Sequence, residues 1–122
     1  MTDQSTPIIN HYVALIKLKS FDESSDFIEN IAQKIINDLD LKVVKKLSYM
    51  FSPKGITLVY ILSESHLVIH TWPELGTAHI DLVTCSYRTM NEFGNSVRLA
   101  FSEENINSIS FKSVDLLSRE TY

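Results

Sequence analysis

The sequence predicts an α+β domain: a largely antiparallel sheet with two helices on one face, in the order β-α-β-β-β-β-α-β. Three observations predict it. Two segments carry apolar residues at helical spacing, one up to Leu39 and one from Met90 to Phe101. Six other segments are short, apolar and partly β-branched. The strands follow one another in a run between the two helices, an order that suits an antiparallel sheet covered on one side.

Along the chain, Met1 to Pro7 reads as a short, loosely ordered tail, and Tyr12 to Leu18 as the first strand. Phe27, Ile28, Ile31, Ala32, Ile35, Ile36 and Leu39 then form one broad apolar stripe, the mark of an amphipathic helix. Ser24 or Ser25 is placed to cap it, and Asp26 and Glu29 suit its positive first turn. Lys42 to Phe51 reads as the second strand. Ser52-Pro53-Lys54-Gly55 is a turn, with Pro fixing φ and Gly freeing it. Ile56 to Leu62 is a third strand. Leu67 to Ile69 belongs to a fourth, which Trp72-Pro73 ends because Pro cannot donate to a ladder. Ala78 to Cys85 is a fifth, with His79, Asp81, Val83 and Cys85 on one face. Met90 to Phe101 is the second helix, turned inward on Phe93, Val97, Ala100 and Phe101, and Gly94 weakens it by about 1 kcal/mol against Ala. Ser108 to Leu116 is the last strand. The sheet's other face needs a cover, which a second copy would supply.

By length the 122 residues form one domain with a modest core. With 44% hydrophobic and 21% charged residues, the composition is that of a folded chain rather than a disordered one. A formal charge of −4 offers no basic field to nucleic acid or an anionic membrane. One cysteine, Cys85, allows neither an intramolecular disulfide nor a multi-cysteine zinc site. Met1 to Asn10 lacks the pattern of a signal peptide, and no apolar run approaches the roughly 20 residues of a membrane span. The expected location is the cytoplasm.

Chemistry concentrates between Ser63 and Ser86, which hold three histidines, the only cysteine and the only tryptophan. His66 and His70 would suit a metal if they lay on a helix. On a strand their rings root about 13 Å apart, too far for one ion, so a metal is set aside. A Cys-His dyad of Cys85 with His70 or His79 lacks an oxyanion turn and a third orienting group, and a lone Cys is more often a small buried apolar residue. Phe51 and Trp72 are by default core or rim aromatics. Asp81 is harder to dismiss, since an acid between Ile80 and Leu82 on a strand needs a partner or a job.

The segment S-E-S-H-L-V-I-H-T-W-P-E, from Ser63 to Glu74, resembles the processing site of prokaryotic S-adenosylmethionine decarboxylases. D-L-V-T-C at Asp81 to Cys85 resembles the family's D-x-F-T-C, and F-S-P-K-G-I-T at Phe51 to Thr57 its F-S-P-x-G-V-S. The three lie in the family's order and at its spacing. The resemblance implies a proenzyme that cuts itself between Glu64 and Ser65 into a β chain, 1–64, and an α chain, 65–122. It implies that Ser65 attacks the Glu64 carbonyl, that β-elimination follows, and that a pyruvoyl group remains at position 65 as the cofactor. That group would bind the substrate's α-amine as a Schiff base and serve as electron sink, the role PLP plays elsewhere.

The same resemblance assigns the other roles. His70 matches the histidine that assists processing, and an imidazole suits a proton transfer near neutrality. Five residues of extended chain span roughly 16 Å, so the chain is expected to bend between Ser65 and His70. Thr57 stands where a processing serine is usual. Cys85 matches the cysteine that returns a proton to the substrate's α-carbon. Glu74 is the candidate for the substrate's hydroxyls, and Phe51 and Trp72 for its adenine or sulfonium. Leu58, His79 and Ser86 replace smaller residues, and Asn10 replaces a common Gly before His11. The partners implied are S-adenosylmethionine and a second copy, in a homodimer of cleaved protomers, with spermidine as the pathway's end. The competing readings are a pyruvoyl-dependent arginine or ornithine decarboxylase on this fold, and a non-catalytic binding relative.

Overall fold

The helices form where the apolar stripes put them. The computed structural model describes residues 7–115. Helix α1, Ser25–Asp38, buries Ile28, Ile31, Ala32, Ile35 and Ile36. Ser24 takes the capping position with extended backbone, but its side chain makes no capping bond. Glu29 reaches Lys46 at 3.1 Å instead of serving the first turn. Helix α2, Met90–Phe101, buries Phe93, Ser96, Val97, Ala100 and Phe101. Its start is a full capping box: Glu92 N–H donates to Thr89 Oγ1 at 3.0 Å, and Thr89 N–H donates to the Glu92 carboxylate at 2.7 Å.

The strands are β1 (Asn10–Leu18), β2 (Val43–Met50), β3 (Ile56–Leu62), β4 (Ser65–Trp72), β5 (Thr77–Thr84) and β6 (Ile106–Ser113). They form one sheet in the order β2-β3-β4-β5-β1-β6, and every neighbouring pair is antiparallel. The expected α+β class and element order hold. Several bounds move. β1 begins at Asn10, because Asn10 and His11 pair with Thr84 and Val83. β4 runs from Ser65 to Trp72, well beyond Leu67 to Ile69, since both of its neighbours pair along it. β6 begins at Ile106, where a register shift beside Leu18 extends the ladder, and it ends at Ser113 rather than at Leu116. Leu116 and residues 1–6 of the expected tail lie outside the described residues.

One face of the sheet meets both helices. Ala14, Ile16, Leu58, Leu67, Ile69 and Ile80, on four of the strands, are each no more than 1% exposed there. The alternation of a pleated strand sends the neighbouring residues to the other face. That outer face carries no layer of its own among the described residues. Leu15, Leu47, Tyr49, Ile61 and Trp72 stand 40–64% exposed on it. No helix among the described residues is long and apolar enough to cross a membrane.

Candidate active site

Two clusters hold the candidate residues, one at each end of β4. The first is the turn between β3 and β4. Only Ser63 and Glu64 link the two strands, and Glu64 has φ +62°, in the left-handed region. For a residue with a Cβ that conformation costs about 1–2 kcal/mol. The β4–β5 register sets His66 opposite Val83, so two steps beyond the ladder Glu64 faces Cys85. The Cys85 thiol donates to the Glu64 carbonyl oxygen at 2.7 Å. Ser65 follows directly, its Oγ donating to the Ser63 carbonyl at 3.2 Å. A hydroxyl, a backbone in the left-handed region and a carbonyl already holding a proton donor thus meet at one peptide bond. A donor on that oxygen favours the negative charge that would develop there under nucleophilic attack.

The second cluster is a cleft of about 180 Å³ where β4 ends, lined by Phe51, Lys54, Thr57, His70, Trp72 and Glu74 together with Thr71. Thr57 and His70 are direct partners across β3 and β4, and Thr57 Oγ1 lies 2.9 Å from His70 Nδ1. That bond occupies one ring nitrogen and leaves Nε2 for chemistry. Tyr49 packs edge-on against Phe51, with centroids 4.8 Å apart, and the Trp72 ring lies 6.2 Å from that of His70. Lys54 donates to Glu23 at 2.9 Å, and that bond, with Glu74 nearby, holds its ammonium pKa above the ordinary lysine value.

The five residues Phe51, Thr57, His70, Trp72 and Glu74 therefore meet as one site, and Glu64, Ser65 and Cys85 as another. One expectation fails. β4 is unbroken between Ser65 and His70, with no bend to bring them together, because β3 and β5 clamp it on both sides. Ser65 also pairs with buried Leu62 on the helix side, whereas His70 pairs with Thr57 on the outer side. The methyl of Thr57 does not prevent its bond to His70.

Two features of the structure are not legible, or only half legible, in the sequence. Lys54 reads as a turn residue, and nothing in its neighbours signals that it lines the cleft while its ammonium bonds Glu23. Asp81 needs a partner by its sequence setting, and it has two: His11 Nε2 lies 2.8 Å from its Oδ1 and His66 Nε2 lies 3.9 Å from the same atom.

The family model described as S-adenosylmethionine decarboxylase matches residues 17–113. A protein of Clostridium botulinum (strain Langeland), named S-adenosylmethionine decarboxylase proenzyme, is 36% identical over 94 residues, which cover 77% of this chain and 75% of that one. A protein of the same name from Moorella thermoacetica is 39% identical over 80 residues, 64% of each chain. Among solved structures, the adenosylmethionine decarboxylase of Aquifex aeolicus superposes with a TM-score of 0.76 at 21% identity, covering 95% of this chain and 98% of the other. That likeness concerns the fold.

Proposed function

The chain belongs to the S-adenosylmethionine decarboxylase family, and on that premise we propose that it is a proenzyme that cuts itself between Glu64 and Ser65 and then decarboxylates S-adenosylmethionine. The observation that carries this reading is the bond from the Cys85 thiol to the carbonyl that Ser65 would attack. Ser65 Oγ adds to the Glu64 carbonyl carbon and the acyl group moves from nitrogen to oxygen, giving an ester. Loss of the Ser65 α-proton then expels the Glu64 carboxylate and leaves dehydroalanine. Water replaces its nitrogen, ammonia departs, and a pyruvoyl group caps the chain that begins at residue 65.

The residues present fit that group. Its carbon skeleton is that of Ser65, and Cys85 stands beside the bond to be cut. Once formed, the group supplies an electron sink for loss of carbon dioxide from an α-amino acid. Cys85 would then hold the proton that returns to the substrate. Phe51 and Trp72 offer aromatic faces to an adenine, and Glu74 offers acceptors for a ribose diol. Membership of the family supports S-adenosylmethionine over arginine or ornithine as the substrate.

His70 lies too far along β4 to serve its own Ser65. The two-fold-symmetric homodimer in this proposal answers that distance. A second copy laid on the open sheet face, with the axis crossing β4 near its middle, brings the His70 end of one chain over the Ser65 end of the other. It also covers the exposed Leu15, Leu47 and Ile61. The product would feed spermidine synthesis in the cytoplasm. Intact-mass analysis tests the reading. It should show chains 1–64 and 65–122, and the cleaved protein should release labelled carbon dioxide from carboxyl-labelled S-adenosylmethionine, not from arginine or ornithine. A single chain after long incubation would sink the proposal.

A further inference from the structure

Neither cluster uses Asp81. It lies mid-strand on the outer face, 32% exposed, between Val13 and Val68 in the neighbouring strands. His66 and His11 both stand opposite Val83, one step along, so the carboxylate reaches diagonally to a ring on either side. His11 Nε2 is at hydrogen-bond distance, 2.8 Å, and His66 Nε2 makes a looser contact at 3.9 Å. Three strands, β4, β5 and β1, are thereby joined through one oxygen.

We propose that Asp81 is a positioning residue which, through His66 and with His11, fastens the start of the α chain to β5 and β1 once the backbone has been cut. The inference rests on cleavage at Ser65. Before the cut, residue 65 is held by its peptide bond to Glu64. Afterwards it is a chain end, and chain ends fray unless tied down. Its ladder is incomplete: Ser65 pairs with Leu62 on β3, but the β5 ladder begins only at His66. His66 is the first α-chain residue held on both sides, and its ring adds a link to β5 beyond the backbone. A reactive group on residue 65 needs that anchorage to keep a fixed position.

The test is hydrogen exchange, read by mass spectrometry on the peptide that begins at residue 65. It is run in the cleaved protein and in the uncleavable Ser65→Ala chain. Asp81→Ala should speed exchange about tenfold in the cleaved protein and less than about twofold in the uncut one. Cleavage itself should proceed, kcat should fall with KM little changed, and Asp81→Asn, which keeps an acceptor oxygen, should restore protection. Equal acceleration in both backgrounds would mean an ordinary structural acid and overturn the proposal, as would none in either. If Asp81→Ala does not fold, His66→Gln leaves the His11–Asp81 bond in place, and wild-type exchange in that cleaved variant overturns it too. A wild-type protein that stays uncut removes the reading of Ser65 and this proposal with it.

Discussion

Cys85 touches the scissile carbonyl before any cut is made, so it serves both processing and turnover in the proposed scheme. Cys85→Ala should slow self-cleavage by roughly 10²-fold, the scale of removing one donor from a developing oxyanion. The fraction that does cleave should not turn over S-adenosylmethionine normally. Time courses of intact mass, followed by carbon dioxide release, check both. Trp72→Ala should leave cleavage intact and weaken substrate binding by about 1–2 kcal/mol, seen as a raised KM. At this scale the sequence was informative through motif resemblance and mute through spacing alone. Asp81 shows the boundary: its isolation among apolar neighbours announced a partner, but only the strand register reveals that His11 and His66 supply it.

Helix α2 shows what local pattern can and cannot tell. Its bounds were legible because apolar spacing and length agree over Met90–Phe101. The Thr89–Glu92 capping box was present in the sequence and went unread. Thr89→Ala should cost about 1 kcal/mol in urea unfolding. Bonds from Thr89, the backbone one first, hold the Glu92 carboxyl below its ordinary value. Its contribution is therefore present above the unfolded pKa and lost as pH falls through the lower, folded one. Gly94 packs on Phe111, and a Cβ there would meet that ring at 3.7 Å, ordinary contact. Gly94→Ala should therefore stabilise the protein by about 0.5–1 kcal/mol. Element β4 reads shorter in the sequence, Leu67 to Ile69, because His66 and His70 break its apolar run. Its extent is set by two flanking ladders, which no local window contains.

At the scale of the molecule, the antiparallel sheet and its one-sided helices followed from element order alone. That the catalytic candidates divide into two clusters did not, because the sequence lists Ser65 and His70 as near neighbours while an unbroken strand holds them roughly 16 Å apart. The proposed assembly makes a prediction. Chains carrying Ser65→Ala and chains carrying His70→Ala should each stay uncut alone. Mixed by co-expression, they should form hybrid dimers in which the His70→Ala chain is cleaved by the intact His70 of its partner. Absence of cleavage in verified hybrids would place both groups' work within one chain and contradict the shared site.

The sheet order β2-β3-β4-β5-β1-β6 has a consequence for the mature protein. A cut at Glu64–Ser65 assigns β1, β2 and β3 to one polypeptide and β4, β5 and β6 to the other. Read across the sheet, the two polypeptides alternate: a pair from the first, a pair from the second, then one strand of each. They share three seams, and neither piece retains a sheet the other does not interrupt. Cut there, the protein would be a woven heterodimer of two interleaved chains. Once denatured it becomes two molecules that must find each other again, so its refolding yield and midpoint should depend on concentration even if the assembled dimer never dissociates. The precursor folds as a single molecule, and what it weaves in one pass its products cannot reweave at the same speed.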